Sequence, residues 1–123
     1  MPFDITTERT FAASHQIWLY DGQLEPLHGH NWVVRVTVSA AKLDRIGVVM
    51  DFHDLERQLN EIVGGWHNRH LNDVQPFTGP GALNPTAEHV AFHVGRSLKL
   101  PDGVTVRSVE VLEAPGCWAV YRP

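Results

Sequence analysis

The chain has 123 residues, the size of one domain, and its apolar share of 43% and charged share of 20% are those of an ordinary globular protein. A formal net charge of −4 gives no electrostatic reason to expect a nucleic-acid partner. No apolar run approaches the roughly 20 residues of a membrane span, so no membrane partner is expected either.

The opening Met1-Pro2-Phe3-Asp4 has no basic segment and no signal-peptide core. The single cysteine, Cys117, rules out an internal disulfide framework. Both features lead to the expectation of a cytoplasmic protein.

Phe3 to Ala13 alternates apolar with polar residues and reads as a strand ending at His15. Ile17 to Leu27 holds Asp21-Gly22 and Pro26 and reads as a loop. Asn31 to Ala40 is β-branched and alternating, a second strand that can pair antiparallel with the first. Asp51 caps a helix whose stripe is Phe52, Leu55, Leu59, Ile62 and Val63, stopped by Gly64-Gly65. A long loop follows from Trp66 to Asn84. Pro85 and Thr86 open a second helix with Ala87, Val90, Ala91, Val94 and Leu98 on its buried side. Val104 to Leu112 and Trp118 to Tyr121 are the third and fourth strands, separated by the turn Ala114-Pro115-Gly116.

The order ββααββ predicts a single two-layer α+β domain over residues 1–123, a four-stranded antiparallel sheet with both helices on one face. The other face, carrying several valines and tryptophans, then needs cover. A domain this small finds it most easily in copies of itself, so a homo-oligomer is expected.

Eight histidines are many for this length. In Leu27-His28-Gly29-His30-Asn31, the two imidazoles at i and i+2 of a strand share one face, and Gly29 leaves the opposite face bare. His15, at the end of the neighbouring strand, supplies a third nitrogen. Three neutral imidazoles with an open fourth position are the ligand set of a catalytic zinc site, whereas closed structural sites usually recruit cysteine. His53, His89 and His93 fall in helices and read as solvated or capping residues.

Six segments occur in one order along the chain: Phe11-Ala12-Ala13-Ser14-His15, Leu27-His28-Gly29-His30-Asn31, Gly47-Val48-Val49-Met50-Asp51-Phe52, His70-Leu71-Asn72, Asn84-Pro85-Thr86-Ala87-Glu88, and Glu113 before the last strand. Together they resemble the superfamily of 6-pyruvoyl-tetrahydropterin synthase and 6-carboxytetrahydropterin synthase. The resemblance implies the tunnelling fold, in which the sheet closes into a barrel within a trimer and two trimers stack as a homohexamer. It implies zinc on His15, His28 and His30, and a pterin substrate anchored by Glu113 with Thr86 near the ring. One carboxylate suits the side-by-side amino group and ring N–H of a pterin.

Two positions depart from the family pattern. The family's catalytic cysteine is replaced by Leu24, and Glu25 stands beside it. A glutamate at this offset resembles the subgroup that cleaves the side chain of 7,8-dihydroneopterin triphosphate to give 6-hydroxymethyl-7,8-dihydropterin. The Asp-His pair expected before Leu71-Asn72 is replaced by His67 and Asn68, leaving His67 or His70 as the acid–base histidine. The expected function is therefore zinc-dependent lyase chemistry on a pterin triphosphate, with Glu25, His67 and Glu113 as catalytic residues. The 6-carboxytetrahydropterin and 6-pyruvoyl-tetrahydropterin synthase reactions and a non-catalytic pterin-binding module are the alternatives.

Overall fold

The computed structural model describes residues 1–123. Its strands are β1 (Phe3–His15), β2 (His28–Ala40), β3 (Arg69–His70), β4 (Val104–Ala114) and β5 (Cys117–Tyr121), and its helices are α1 (Phe52–Gly64) and α2 (Ala87–Ser97). The sheet runs β3-β1-β2-β4-β5.

Four strands are where the sequence puts them. The fifth, β3, is two residues long, pairs parallel with the end of β1, and is followed by a 3-10 turn over Leu71–Asp73. It lies in the segment expected to be loop. Periodicity cannot reveal a strand of two residues, because its pairing is decided by β1 rather than by its own pattern. Also corrected is the start of β2, which reaches back to His28 because every residue from His28 onward finds a partner on β1, ending at His15↔His28.

Alternation sorts the sheet into two faces. Phe11, Ala13 and His15 of β1, Trp32, Val34, Val36 and Val38 of β2, and Val109 and Val111 of β4 are buried on the helical side. Phe11 and Trp32 stack there with ring centroids 5.8 Å apart, and Trp66 tilts against Phe11 at 5.6 Å. Helix α1 contributes Leu55, Leu59 and Val63, and its first turn is held by Asp51, whose carboxylate accepts the His53 N–H at 2.8 Å. Phe52, expected in the apolar stripe, is exposed in the first turn of α1. Helix α2 can approach β5 only because residue 95 is glycine. A Cβ there would lie 2.8 Å from the Tyr121 ring.

The other face is less apolar than expected. Trp32 and Trp66 belong to the core, so the outer face keeps Trp118, Val33, Leu112 and Val120 beside a charged ladder. In that ladder Arg35 bonds Glu8 at 3.0 Å and Glu110 at 2.9 Å and lies over the Trp118 ring at 4.9 Å.

His93 on α2 is half-buried against Trp66, and burial lowers its pKa below the ordinary 6.5. The unfolded chain takes up this proton near 6.5 and the folded chain only at lower pH, so acid favours unfolding in the window between them. Urea denaturation should therefore show wild type losing stability relative to His93→Gln as pH falls from about 7.5 to 5.5.

Candidate metal centre

The pairing of the last residue of β1 with the first of β2 brings His15 and His28 together. Their Nε2 atoms are 3.0 Å apart, and the ring of His30 lies 4.6 Å from that of His28 and 5.2 Å from that of His15. His15 is fully buried, and its ring stands edge-on to Trp32 at 4.8 Å.

The hydrogen bonds fix the tautomers. His15 Nδ1 is 2.7 Å from the Pro85 carbonyl oxygen, and His28 Nδ1 is 3.0 Å from that of Pro26. A carbonyl only accepts, so both rings carry their proton on Nδ1 and present a lone pair at Nε2 when neutral. Two lone pairs 3.0 Å apart repel unless a cation lies between them. Ligands about 2.0–2.1 Å from a tetrahedral ion stand about 3.3 Å from one another, close to this spacing. A backbone carbonyl on the far nitrogen is also how metal-binding imidazoles are usually oriented.

His30 Nε2 is buried without a hydrogen-bond partner. Burial lowers its pKa below 6.5, Glu113 pulls it back up, and His15 and His28 lower it again. A neutral imidazole with an orphaned nitrogen is the form a metal needs.

Glu113 completes the group. Its Oε1 is 3.0 Å from His15 Nε2 and 3.6 Å from His30 Nε2, and the four ligand atoms all lie within 4.8 Å of one another. The register of β4 and β5 shifts across this residue, between Leu112 and Ala114. Such an irregularity re-aims a side chain at the end of a strand. The family resemblance implies a pterin anchor at Glu113. The structure also gives it the geometry of a fourth ligand, which nothing in the strand pattern announces.

Glu25 lies at the rim. Its Oε1 accepts the Ile17 N–H at 3.0 Å and is 3.7 Å from His28 Nε2. The loop that carries it is clamped by two asparagines. Asn72 accepts from Gln16 N at 2.9 Å and donates to Gln16 O at 2.8 Å, and Asn84 does the same to Trp18 at 2.8 and 3.0 Å. Both belong to motif segments, yet only the folded chain shows what they hold.

The remaining sequence candidates have other contacts. Thr86 caps α2, accepting the His89 N–H at 3.1 Å. His67 Nδ1 accepts the Ala12 N–H at 3.1 Å and stays outside the metal-ligand group. His70 Nδ1 is 2.9 Å from Ser14 Oγ. Cys117 is exposed at the start of β5.

The family model described as 6-pyruvoyl tetrahydropterin synthase matches residues 4–123. The chain belongs to this family. It is 33% identical over 113 residues to the 6-carboxy-5,6,7,8-tetrahydropterin synthase of Synechocystis, covering 89% of this chain and 84% of the relative. It is 27% identical over 106 residues to the dihydroneopterin monophosphate aldolase of Pyrococcus furiosus, covering 85% and 83%. The fold matches a Plasmodium vivax 6-pyruvoyltetrahydropterin synthase, solved as a catalytic-residue variant with alanine in place of glutamate, at TM-score 0.77, 18% identity, and coverage of 98% and 97%.

For a member of the 6-pyruvoyl tetrahydropterin synthase family with this donor set, removing one buried imidazole should abolish stoichiometric metal binding. His15→Ala should show less than about a tenth of the wild-type divalent metal by elemental analysis, because a second-shell change alone already costs 10–100-fold in affinity. The clamps make a separate prediction. Asn72→Ala and Asn84→Ala should each lower stability by about 1–3 kcal/mol in urea denaturation while metal content stays near wild type.

Proposed function

We propose that this protein is a zinc-dependent lyase that cleaves the side chain of 7,8-dihydroneopterin triphosphate to 6-hydroxymethyl-7,8-dihydropterin, a folate precursor. The observation that carries the reading is the Glu25 carboxylate 3.7 Å from Nε2 of His28, with Leu24 rather than a thiol beside it. The Pyrococcus furiosus relative, named an aldolase of dihydroneopterin monophosphate, supports carbon–carbon cleavage within the family. The Plasmodium vivax protein, whose catalytic glutamate is named, supports a carboxylate in that office.

His15, His28 and His30 would hold the zinc, and the neutral, orphaned Nε2 of His30 fits that assignment. Zinc bound there supplies Lewis acidity without redox chemistry. Glu113 and Thr86 are the residues assigned to the pterin, the carboxylate taking the ring's paired N–H donors.

Glu25 takes the proton of the side chain's second hydroxyl. The bond between the first and second side-chain carbons breaks as that oxygen becomes an aldehyde. The electron pair moves into the ring's C6–N5 imine, and Glu25 returns the proton to the first carbon. The leaving fragment is glycolaldehyde bearing the phosphate chain. A placed general base of this kind contributes about 10²–10⁴-fold. His67, whose Nδ1 accepts from the Ala12 amide, keeps its Nε2 available and is the second acid–base residue of the proposal.

A homohexamer of stacked trimers in the cytoplasm is the proposed working form, supported by the exposed Trp118 and Val120 on the outer sheet face. A second reading, 6-carboxytetrahydropterin synthase, is favoured by the name of the Synechocystis relative at 33% identity.

Mass spectrometry of the products separates the readings. Wild type should release 6-hydroxymethyl-7,8-dihydropterin, with Glu25→Ala and Glu25→Gln slower by about 10²–10⁴-fold at unchanged metal content. Release of the carboxylated pterin sinks the Glu25 assignment. Tight ligand binding without any product makes the protein a binding module.

A further inference from the structure

We propose that the sheet carries a second, anion-binding site on the face opposite the histidines, suited to a phosphate group or phosphate chain. Ser14, Gly29 and Asn31 alternate along β1 and β2 with His15, His28 and His30, so they point to the other side of the same strand ends. With Asn68, Arg69 and His70 from the β3 segment they line a cavity of about 470 Å³, which also borders His30 of the metal-ligand group.

The chemistry of the walls selects the ligand. No carboxylate lines the cavity, although the chain has 14 acidic residues against 10 basic ones. Arg69 is exposed and forms no ion pair, a state it shares with Arg45, Arg96 and Arg122, but it is the one arginine that lines this cavity. A free guanidinium offers two parallel donors to one phosphate. Ser14 Oγ lies 2.9 Å from His70 Nδ1, and with the hydroxyl as donor the neutral imidazole turns an Nε2–H donor outward. The Asn31 and Asn68 carboxamides add further donors. The lining is mostly polar, which suits an anion better than a flat ring.

The wall is held in place. Asn68 adopts a left-handed φ of 59°, which asparagine tolerates, and its N–H donates to Ala12 O at 2.7 Å. Arg69 and His70 then pair with Ala13 and Ser14. Gly29 forms part of the floor. Its backbone is not in the left-handed region, and a Cβ built there meets nothing closer than Ala13 O at 3.8 Å. Neither conformation nor crowding inside this chain demands glycine, and its bare Cα leaves the floor open for a ligand.

The site stands on its own geometry; only its identification with the substrate's phosphate chain rests on the proposed function. A substrate on this subunit's histidines lies across the sheet, so that chain would come from a substrate held by a neighbouring copy. A separate free anion is the other source.

Calorimetric titration of the intact, metal-loaded protein with tripolyphosphate needs no turnover and so tests the site even if the lyase reading fails. Wild type should bind, and Arg69→Ala should lose about tenfold or more in affinity, with Arg69→Lys between them because one point charge replaces the fork. Gly29→Ala should weaken binding several-fold at unchanged metal content. Arg45→Ala, which removes an equally unpaired charge elsewhere, should bind as wild type. No binding to wild type at millimolar concentration, or equal losses in Arg69→Ala and Arg45→Ala, overturns the proposal. If Arg69→Ala raises KM for dihydroneopterin triphosphate and not for unphosphorylated dihydroneopterin, the anion is the substrate's own chain. Lost tripolyphosphate affinity with both KM values unchanged assigns the site to a separate anion.

Discussion

Two imidazole nitrogens that face each other at 3.0 Å, each with its other nitrogen tied to a backbone carbonyl, are the constraint around which this protein is arranged. With both protons held on Nδ1, the lone pairs of His15 and His28 converge and demand a positive partner. Burial makes that demand costly to ignore, because a buried polar atom without a partner is destabilising by about 1–3 kcal/mol. His15 is fully buried and His30 Nε2 lacks a hydrogen-bond partner, so the end of the hydrophobic core carries a group that could hold a metal ion.

The rest of the fold serves that group. The unbroken register from Phe3↔Ala40 to His15↔His28 sets the distance between two of the ligands. Alternation places His30 on the same side as both, and the stacked Phe11 and Trp32 close the layer behind them. The start of α2 enters through Pro85, whose carbonyl orients His15 one residue before Thr86 caps the helix. Asn72 and Asn84 fasten the loop after β1 as a sheet neighbour would, through paired backbone bonds, and that loop holds Glu25 at the rim. Residues spread over the chain thus meet because each satisfies a backbone group that the sheet leaves open.

The two sheet faces at this end divide the chemistry. On the helical side three imidazoles and Glu113 form a group that could hold a metal, with Glu25 at its rim. On the outer side the same strands present a hydroxyl, carboxamides, a guanidinium and a bare glycine. Farther along, that outer face is braced by the Glu8–Arg35–Glu110 ladder under Trp118, where exposed charges contribute little stability individually but fix the strands' side-chain order.

Four strands, both helices and the shared direction of His28 and His30 are legible along the chain, because each rests on a local period. Alternation aimed His28 and His30 to one side, Asp51 and Thr86 announced helix starts, and the offset of Glu25 from His28 marked it as unusual. Tertiary structure alone decided the rest. Glu113 reaches the histidines through a register shift between β4 and β5, Asn72 and Asn84 act on loop backbone more than 50 residues away, and β3 exists only as an edge on β1. His67 and His70, interchangeable in the sequence, part company on an amide and a hydroxyl. Those outcomes depend on contacts between distant segments, and a distance across the sheet leaves no periodic trace along the chain.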